Sequence, residues 1–192
     1  MKNIIIISTL SLFLLTMASH AQPLTFEKQD IGIAVGVPSM NDNTYTSQSP
    51  AITLHYEYGL SDKIGVGYIG VGGLLSIAGG EYTNTFLNPN PSVDFSQTLI
   101  GPRAVYHFDM VELTNNDQWS NIDVYSGAFV GLKFESIKYT DPNTEKNIKD
   151  RKTKLANDLF AGIRYGFNQN IGAFAEIGFG VSYFSVGASW RL

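Results

Sequence analysis

Tyr183-Phe184-Ser185-Val186-Gly187-Ala188-Ser189-Trp190-Arg191-Leu192 alternates without a break. Phe184, Val186, Ala188, Trp190 and Leu192 fall on one face, and Ser185, Gly187, Ser189 and Arg191 on the other. Side chains of a strand repeat every second residue, so this stretch is a strand with one apolar face and one small, polar face. A strand of this kind needs neighbours of the same kind on both edges, because unpaired backbone groups are costly.

Seven upstream stretches repeat the pattern. They are read at residues 30–37, 51–60, 63–75, 95–109, 122–139, 156–167 and 171–180. In the sixth, Leu159, Ala161, Ile163, Tyr165 and Phe167 alternate with Phe160, Gly162, Arg164 and Gly166. In the third, Ile64, Val66 and Tyr68 share a face before the phase is lost among glycines. Pro102 interrupts the fourth and predicts a bulge or a weak ladder position, since proline has no N–H to donate. The connections are uneven. Long polar loops are expected at 39–49, 76–94 and 140–154, short turns at Ser61-Asp62 and Asn168-Gln169-Asn170, and a very short one near Val181-Ser182. Eight antiparallel strands with long loops on one end and mostly short turns on the other describe an all-β, up-and-down transmembrane barrel.

The polar face is mostly glycine with a few charges of mixed sign: Glu57, Arg103, Asp109, Lys133, Glu135, Arg164, Glu176 and Arg191. A water-facing exterior carries more charge and less glycine. The apolar face carries aromatic rings toward the strand ends, among them Tyr58, Phe108, Phe167, Phe179, Phe184 and Trp190, as an interfacial girdle does. Both features put the apolar face in lipid and the polar face in the lumen. A soluble periplasmic ligand-binding barrel would have the opposite arrangement.

Residues 1–21 read as a cleaved signal peptide: Lys2, an apolar run from Ile4 to Met17, then Ser19 and Ala21 at the small-residue positions. The run is shorter than the ~20 residues a spanning helix needs. Residues 22–192 are then the barrel domain. The chain has no cysteine, which excludes disulfides and thiolate metal sites, and a net charge of −4 argues against a nucleic-acid partner.

The signal peptide, the eight alternating segments, the hairpin Phe167-Asn168-Gln169-Asn170-Ile171-Gly172 and the terminal Val186–Leu192 pattern resemble the small outer-membrane β-barrel proteins of the OmpA/OmpX-like kind. The resemblance implies export to the outer membrane of a Gram-negative bacterium. It implies a monomer with a structural or surface-interaction role and no open pore, embedded in outer-membrane lipid and lipopolysaccharide. It also implies that the barrel-assembly machinery reads the terminal strand, here Phe184, Val186, Trp190 and Leu192, as an assembly signal. Such signals usually end in an aromatic residue, and this chain ends in Leu192.

Some eight-stranded outer-membrane barrels are lipid-A-type acyl hydrolases or acyltransferases, which need a histidine, a serine and a carboxylate within reach of one another. His55 with Glu57 and His107 with Asp109 are the candidate pairs, since residues two apart share a face. Neither histidine has a serine two positions on, and no G-x-S-x-G elbow occurs. Two barrel histidines without thiolates make a poor metal site. The expectation is therefore no catalytic, metal or cofactor site, with a structural lumen network of Glu57, Arg103, Arg164, Glu176 and Arg191. The lysines and arginines of 146–154 are candidate contacts for lipopolysaccharide phosphates. A turn centred on Gln169 predicts Gly166 opposite Gly172, Arg164 opposite Phe174 and Gly162 opposite Glu176. It makes Arg164 and Glu176 diagonal neighbours and predicts a salt bridge between them, with Arg191 able to join.

Overall fold

The computed structural model describes residues 28–39, 47–60, 62–82, 93–140 and 146–192; the expected signal peptide and its cleavage site lie outside them. Eight long antiparallel strands close a barrel: β1 Gln29–Pro38, β3 Ala51–Gly59, β4 Gly67–Tyr82, β5 Val93–Phe108, β6 Ile122–Thr140, β7 Asn147–Gly166, β8 Ile171–Gly178 and β9 Ser182–Arg191. β2, Ser47–Gln48, adds a two-residue piece beside β4. Each strand pairs with the next in sequence, β1 pairs with β9, and β4 pairs with both β3 and β5, so the eight-strand wall has no gap. A one-turn helix α1, Met110–Thr114, and a 3-10 turn, Asp117–Asn121, link β5 to β6. No helix among the described residues is long and apolar enough to cross a membrane.

Alternation decides which way the wall faces. In β7, Leu155, Leu159, Ile163 and Tyr165 are exposed, whereas Asp158, Phe160 and Arg164 are buried. In β9, Phe184, Val186 and Trp190 point out while Ser185 and Ser189 are buried. The charged face is thus inside and the aliphatic face outside, as lipid requires. From Tyr165 to Leu155 the outward apolar row covers about ten residues, ~33 Å of strand, or ~23 Å along the normal at a ~45° tilt, close to the ~25 Å apolar band of such barrels.

The short turns are closed by side chains. Asn168 Oδ1 accepts from the N–H groups of Asn170 and Ile171 at 2.9 and 2.8 Å, which shapes the β7–β8 turn. Asp158 on β7 does the same for β8–β9, its Oδ1 accepting from Phe179 N–H and Gly180 N–H at 2.8 and 2.7 Å. Pro102 makes no bulge. Ile100 faces Leu132 and Arg103 faces Phe129 in one unbroken register, with pairing to β6 lost only between them. The proline therefore marks a weak ladder position.

Three expectations need correction. β4 begins at Gly67 after a tight turn that bridges Ile64 to Gly67, with Gly65 at φ 63°. The turn shifts the phase by one, so Tyr68 shares the lumen face with its partner His107 instead of following Ile64 and Val66. β4 and β5 also run on past the expected ends and stay paired up to Tyr82 and Val93, where a loop was expected from residue 76. Most of the charged 140–154 loop is strand: β7 pairs with β6 from Tyr165 opposite Ile122 up to Asn147 opposite Thr140. Polarity misled the reading here, because strands that leave the membrane lose their apolar face while keeping their ladder.

The wall is therefore lopsided. β6 and β7 have 19 and 20 residues, but β8 and β9 have 8 and 10. The distal halves of β4 to β7 form a sheet that stands beyond the apolar band on the long-loop end. Beyond Leu155, β7 continues about eight residues, or roughly 19 Å along the membrane normal.

Candidate functional site in the barrel lumen

Buried charge fills the lower half of the lumen. Glu57 on β3 is fully buried and contacts His107 of β5, Oε1 to Nε2 at 2.5 Å. The other ring nitrogen, Nδ1, lies 2.9 Å from Asp123 Oδ1 on β6. Asp123 also meets Arg164 Nη1 of β7 at 3.4 Å and Arg191 Nη2 of β9 at 4.0 Å. Arg164 Nη2 reaches Asp30 of β1 at 3.3 Å, and Asp30 faces His55 Nε2 at 3.8 Å. On the other flank Arg103 of β5 sits 4.0 Å from Glu57 and donates to Glu176 Oε1 of β8 at 3.0 Å. Tyr125 Oη donates to the same carboxylate oxygen at 3.0 Å.

The groups form one path of alternating sign: Glu176, Arg103, Glu57, His107, Asp123, Arg164, Asp30. Both nitrogens of His107 face carboxylates, and an ionised carboxylate only accepts, so the ring donates at both ends. The doubly protonated ring then joins Arg103, Arg164 and Arg191 as the fourth positive charge against Asp30, Glu57, Asp123 and Glu176. Balanced charge of this kind is what makes a buried network tolerable, because an uncompensated ion in a low-dielectric interior is expensive. Aromatic rings complete the packing: the Arg103 guanidinium lies 4.4 Å from the Phe160 ring centre and that of Arg164 lies 5.3 Å from the Tyr125 ring centre.

β1, β3 and β5 to β9 each send a charged or ring side chain into this network, and β4 supplies glycine opposite Glu57 and Arg103. A Cβ on Gly70 would strike the Glu57 carboxylate, and one on Gly72 the Tyr56 backbone. The same exchange recurs around the wall. Gly32 lies under the His55 ring, Gly162 under Tyr125, Gly131 under Phe129 and Gly187 under Phe174. The glycine-rich inner face is therefore the space that lets large side chains lie flat against the inner wall.

The expected lumen residues Glu57, Arg103, Arg164, Glu176 and Arg191 all lie in this interior, but the expected Arg164–Glu176 bridge does not form. The register that predicted it is present, with Gly166 opposite Gly172, Arg164 opposite Phe174 and Gly162 opposite Glu176. Arg164 pairs instead with Asp123, its direct partner across β6–β7, and with Asp30. A direct cross-strand partner is closer than a diagonal one by about 2–3 Å. Glu176 turns to Arg103 across the barrel. Asp30 and Asp123 were missed although one more step of alternation from Gly32 and Tyr125 reaches them. His107 does not pair with Asp109, which lies beyond the wall, caps α1 through Glu112 N–H and binds Lys63 at 2.7 Å. Lys133 and Glu135 lie on the inner face of the protruding sheet, above the network, with Glu135 held by Lys133 at 3.0 Å and Lys154 at 2.7 Å. Phe184, Val186, Trp190 and Leu192 are all exposed on the outer face or at its end.

No hydroxyl among the described residues hydrogen-bonds to either histidine: His107 is held by two carboxylates, and His55 packs against Phe174 with ring centres 5.1 Å apart. Among the described residues no cluster has the makings of a metal site. Two spaces lined by lumen residues hold about 10 and 20 Å³, room for a water molecule rather than a substrate. An eight-strand interior filled this way should conduct poorly. In a planar bilayer the refolded protein is expected to show no steady porin-sized steps, and such steps would contradict a packed lumen.

A family model described as outer membrane protein beta-barrel domain matches residues 8–190. The chain belongs to that family. Among solved structures, the chain is similar to Ail, the attachment invasion locus protein of Yersinia pestis. That match has 14% identity and a TM-score of 0.52, and covers 88% of this chain and 100% of that one. Ail in complex with the heparin analogue sucrose octasulfate matches at 15% identity and a TM-score of 0.53, covering 86% and 97%. The N-terminal β-barrel domain of Pseudomonas aeruginosa OprF matches at 17% identity and a TM-score of 0.47, covering 87% and 98%. No curated protein matches the chain. The likeness to Ail is one of fold: a closed, antiparallel outer-membrane barrel.

Proposed function

We propose that this outer-membrane barrel is a non-enzymatic surface-contact protein of a Gram-negative bacterium, in which the packed barrel is the anchor and the protruding sheet is the contact element. The observation that carries the reading is the open edge of β7. Residues 160–166 of β7 pair with β8, whereas, among the described residues, 147–157 pair with β6 alone. A row of unpaired backbone groups held outside the membrane is a template for strand addition, in which a partner's extended segment supplies the missing ladder. The lumen supports the same reading from the other side, since its described histidines are committed to carboxylates and rings.

Photo-crosslinkers placed one at a time at residues 147–155 on intact cells test the reading. Adducts with partner proteins are expected along this edge and not at Phe179 on the low β8–β9 turn. Joining Ser136 to Arg151 by a two-residue turn should abolish them while the barrel stays heat-modifiable. Adducts spread evenly over both sites would overturn the proposal.

Export through residues 1–21 and recognition of the terminal strand by the assembly machinery belong to the same reading. Trp190→Asp removes the last outward aromatic and puts a charge on the lipid face. It is expected to leave unfolded protein in the periplasm, read by loss of heat-modifiability and of surface labelling. Normal surface levels of the variant would contradict an assembly role.

A further inference from the structure

The basic residues of 138–154 divide by strand parity. On the inner face of the protruding sheet, Lys133 and Lys154 bind Glu135, and Lys152 lies 3.5 Å from Asp150. On the outer face, Lys138 stands directly opposite Lys149, and Arg151, two residues on, is opposite Ser136. All three are exposed, and among the described residues none has a carboxylate within 4 Å. Like charges directly opposite one another destabilise a sheet. Arg151, then burial, then Lys138 hold the Lys149 ammonium below its usual range, the mark of an uncompensated positive field. Asp94 faces Lys138 from β5, and Glu81 faces Asp94 from β4, on this same face, so the acidic half of the row lies toward β4 and the basic half, Lys138, Lys149 and Arg151, on β6–β7.

Height matters as much as sign. Lys138 lies four residues beyond the outward Phe134, and Arg151 four beyond Leu155. Four residues of tilted strand raise a side chain roughly 9 Å above the apolar band, which is the depth of lipid headgroups. The patch continues the lipid-facing surface and does not open into the lumen.

We propose that Lys138, Lys149 and Arg151 form a docking surface for the phosphate groups of outer-leaflet lipids packed around the barrel. The surface is independent of the open β7 edge, because its side chains leave the face of the sheet and not its rim. The bound lipid supplies counter-charge to the basic β6–β7 half of this face, and fixes the protruding sheet against the membrane.

The test uses the full barrel in phosphatidylcholine vesicles carrying a minor fraction of bis-phosphorylated lipid A or of its dephosphorylated form. Lipid retained per barrel after detergent extraction is measured by mass spectrometry. The pair Lys149→Gln/Arg151→Gln is compared with Lys152→Gln/Lys154→Gln, which removes equal charge from the same strand on the opposite face. Heat-modifiability confirms that each variant is folded, and Lys138→Gln provides a milder third variant. Retention of the phosphorylated lipid is expected to fall about tenfold or more in the outer-face pair, since each cation near an anionic surface adds on the order of fivefold in binding. It should hold in the inner-face pair, and the dephosphorylated lipid should not be retained by any. Equal loss from both pairs, no loss from either, or displacement of the lipid by millimolar inorganic phosphate would overturn the proposal.

Discussion

Glu57→Ala is expected to destabilise the barrel by on the order of 3–5 kcal/mol, the cost of stranding a buried charge. Glu57 has no exposed surface, and it is the junction of the alternating path: its carboxylate holds His107 on one side and faces Arg103 on the other. Truncation leaves His107 with Asp123 and Arg103 with Glu176, so the buried interior carries one excess positive charge. Glu57→Gln keeps the shape and a hydrogen-bond acceptor but loses the charge, and should fall between Ala and the unaltered protein. Glu135 gives the contrast. It also contacts two cations, but at the rim, where Lys154 is more than half exposed. Glu135→Ala should cost under about 1 kcal/mol, as surface pairs do. Urea unfolding in lipid vesicles, followed by tryptophan fluorescence and gel mobility, measures all three. Equal costs at positions 57 and 135 would mean that the lumen is hydrated and the network is no more than a set of surface pairs.

The network separates what parity encodes from what register encodes. Membership of a face depends on parity alone, so Glu57, Arg103, Arg164, Glu176 and Arg191 were placed inside without knowledge of any partner strand. Who touches whom depends on register, and register was legible only where a turn was tight enough to centre, as at Gln169. For β6 and β7 the turn was hidden in a charged stretch that resembled a loop. The pairing of Asp123 with Arg164 was lost with it, and a diagonal bridge was chosen in its place. Tyr68 failed for a different reason: a turn at Gly65 slipped the phase, and the glycines beyond it carry no polarity signal. The open edge of β7 was illegible for the same cause as its length, since lysine-rich strand outside lipid looks like solvated coil.

Gly162→Val is expected to be about as damaging as losing a charged member of the network, although glycine makes no contact of its own. A Cβ at this position would lie among the atoms of the Tyr125 ring, 2.6 Å from its hydroxyl. That ring is almost fully buried, donates to Glu176, and lies under the Arg164 guanidinium, with His107 5.5 Å away. It has no free direction in which to retreat. Overpacking costs about 1–3 kcal/mol, and a stranded Glu176 acceptor a further ~1–3 kcal/mol. Two variants separate crowding from a general intolerance of side chains in the wall. Gly73→Val, on the outer face of β4, places its Cβ no closer than 3.7 Å to any neighbour, and valine suits a strand, so its effect should be small. Tyr125→Ala vacates the space above residue 162, so the double variant Gly162→Val/Tyr125→Ala should be less destabilised than the two single costs together, by about 0.5–3 kcal/mol. Tyr125→Phe removes the hydroxyl but keeps most of the ring, and should rescue little. Additive costs in the Ala pair would mean that the inner glycines serve the backbone; a favourable coupling means that they are the mould into which the lumen side chains fit.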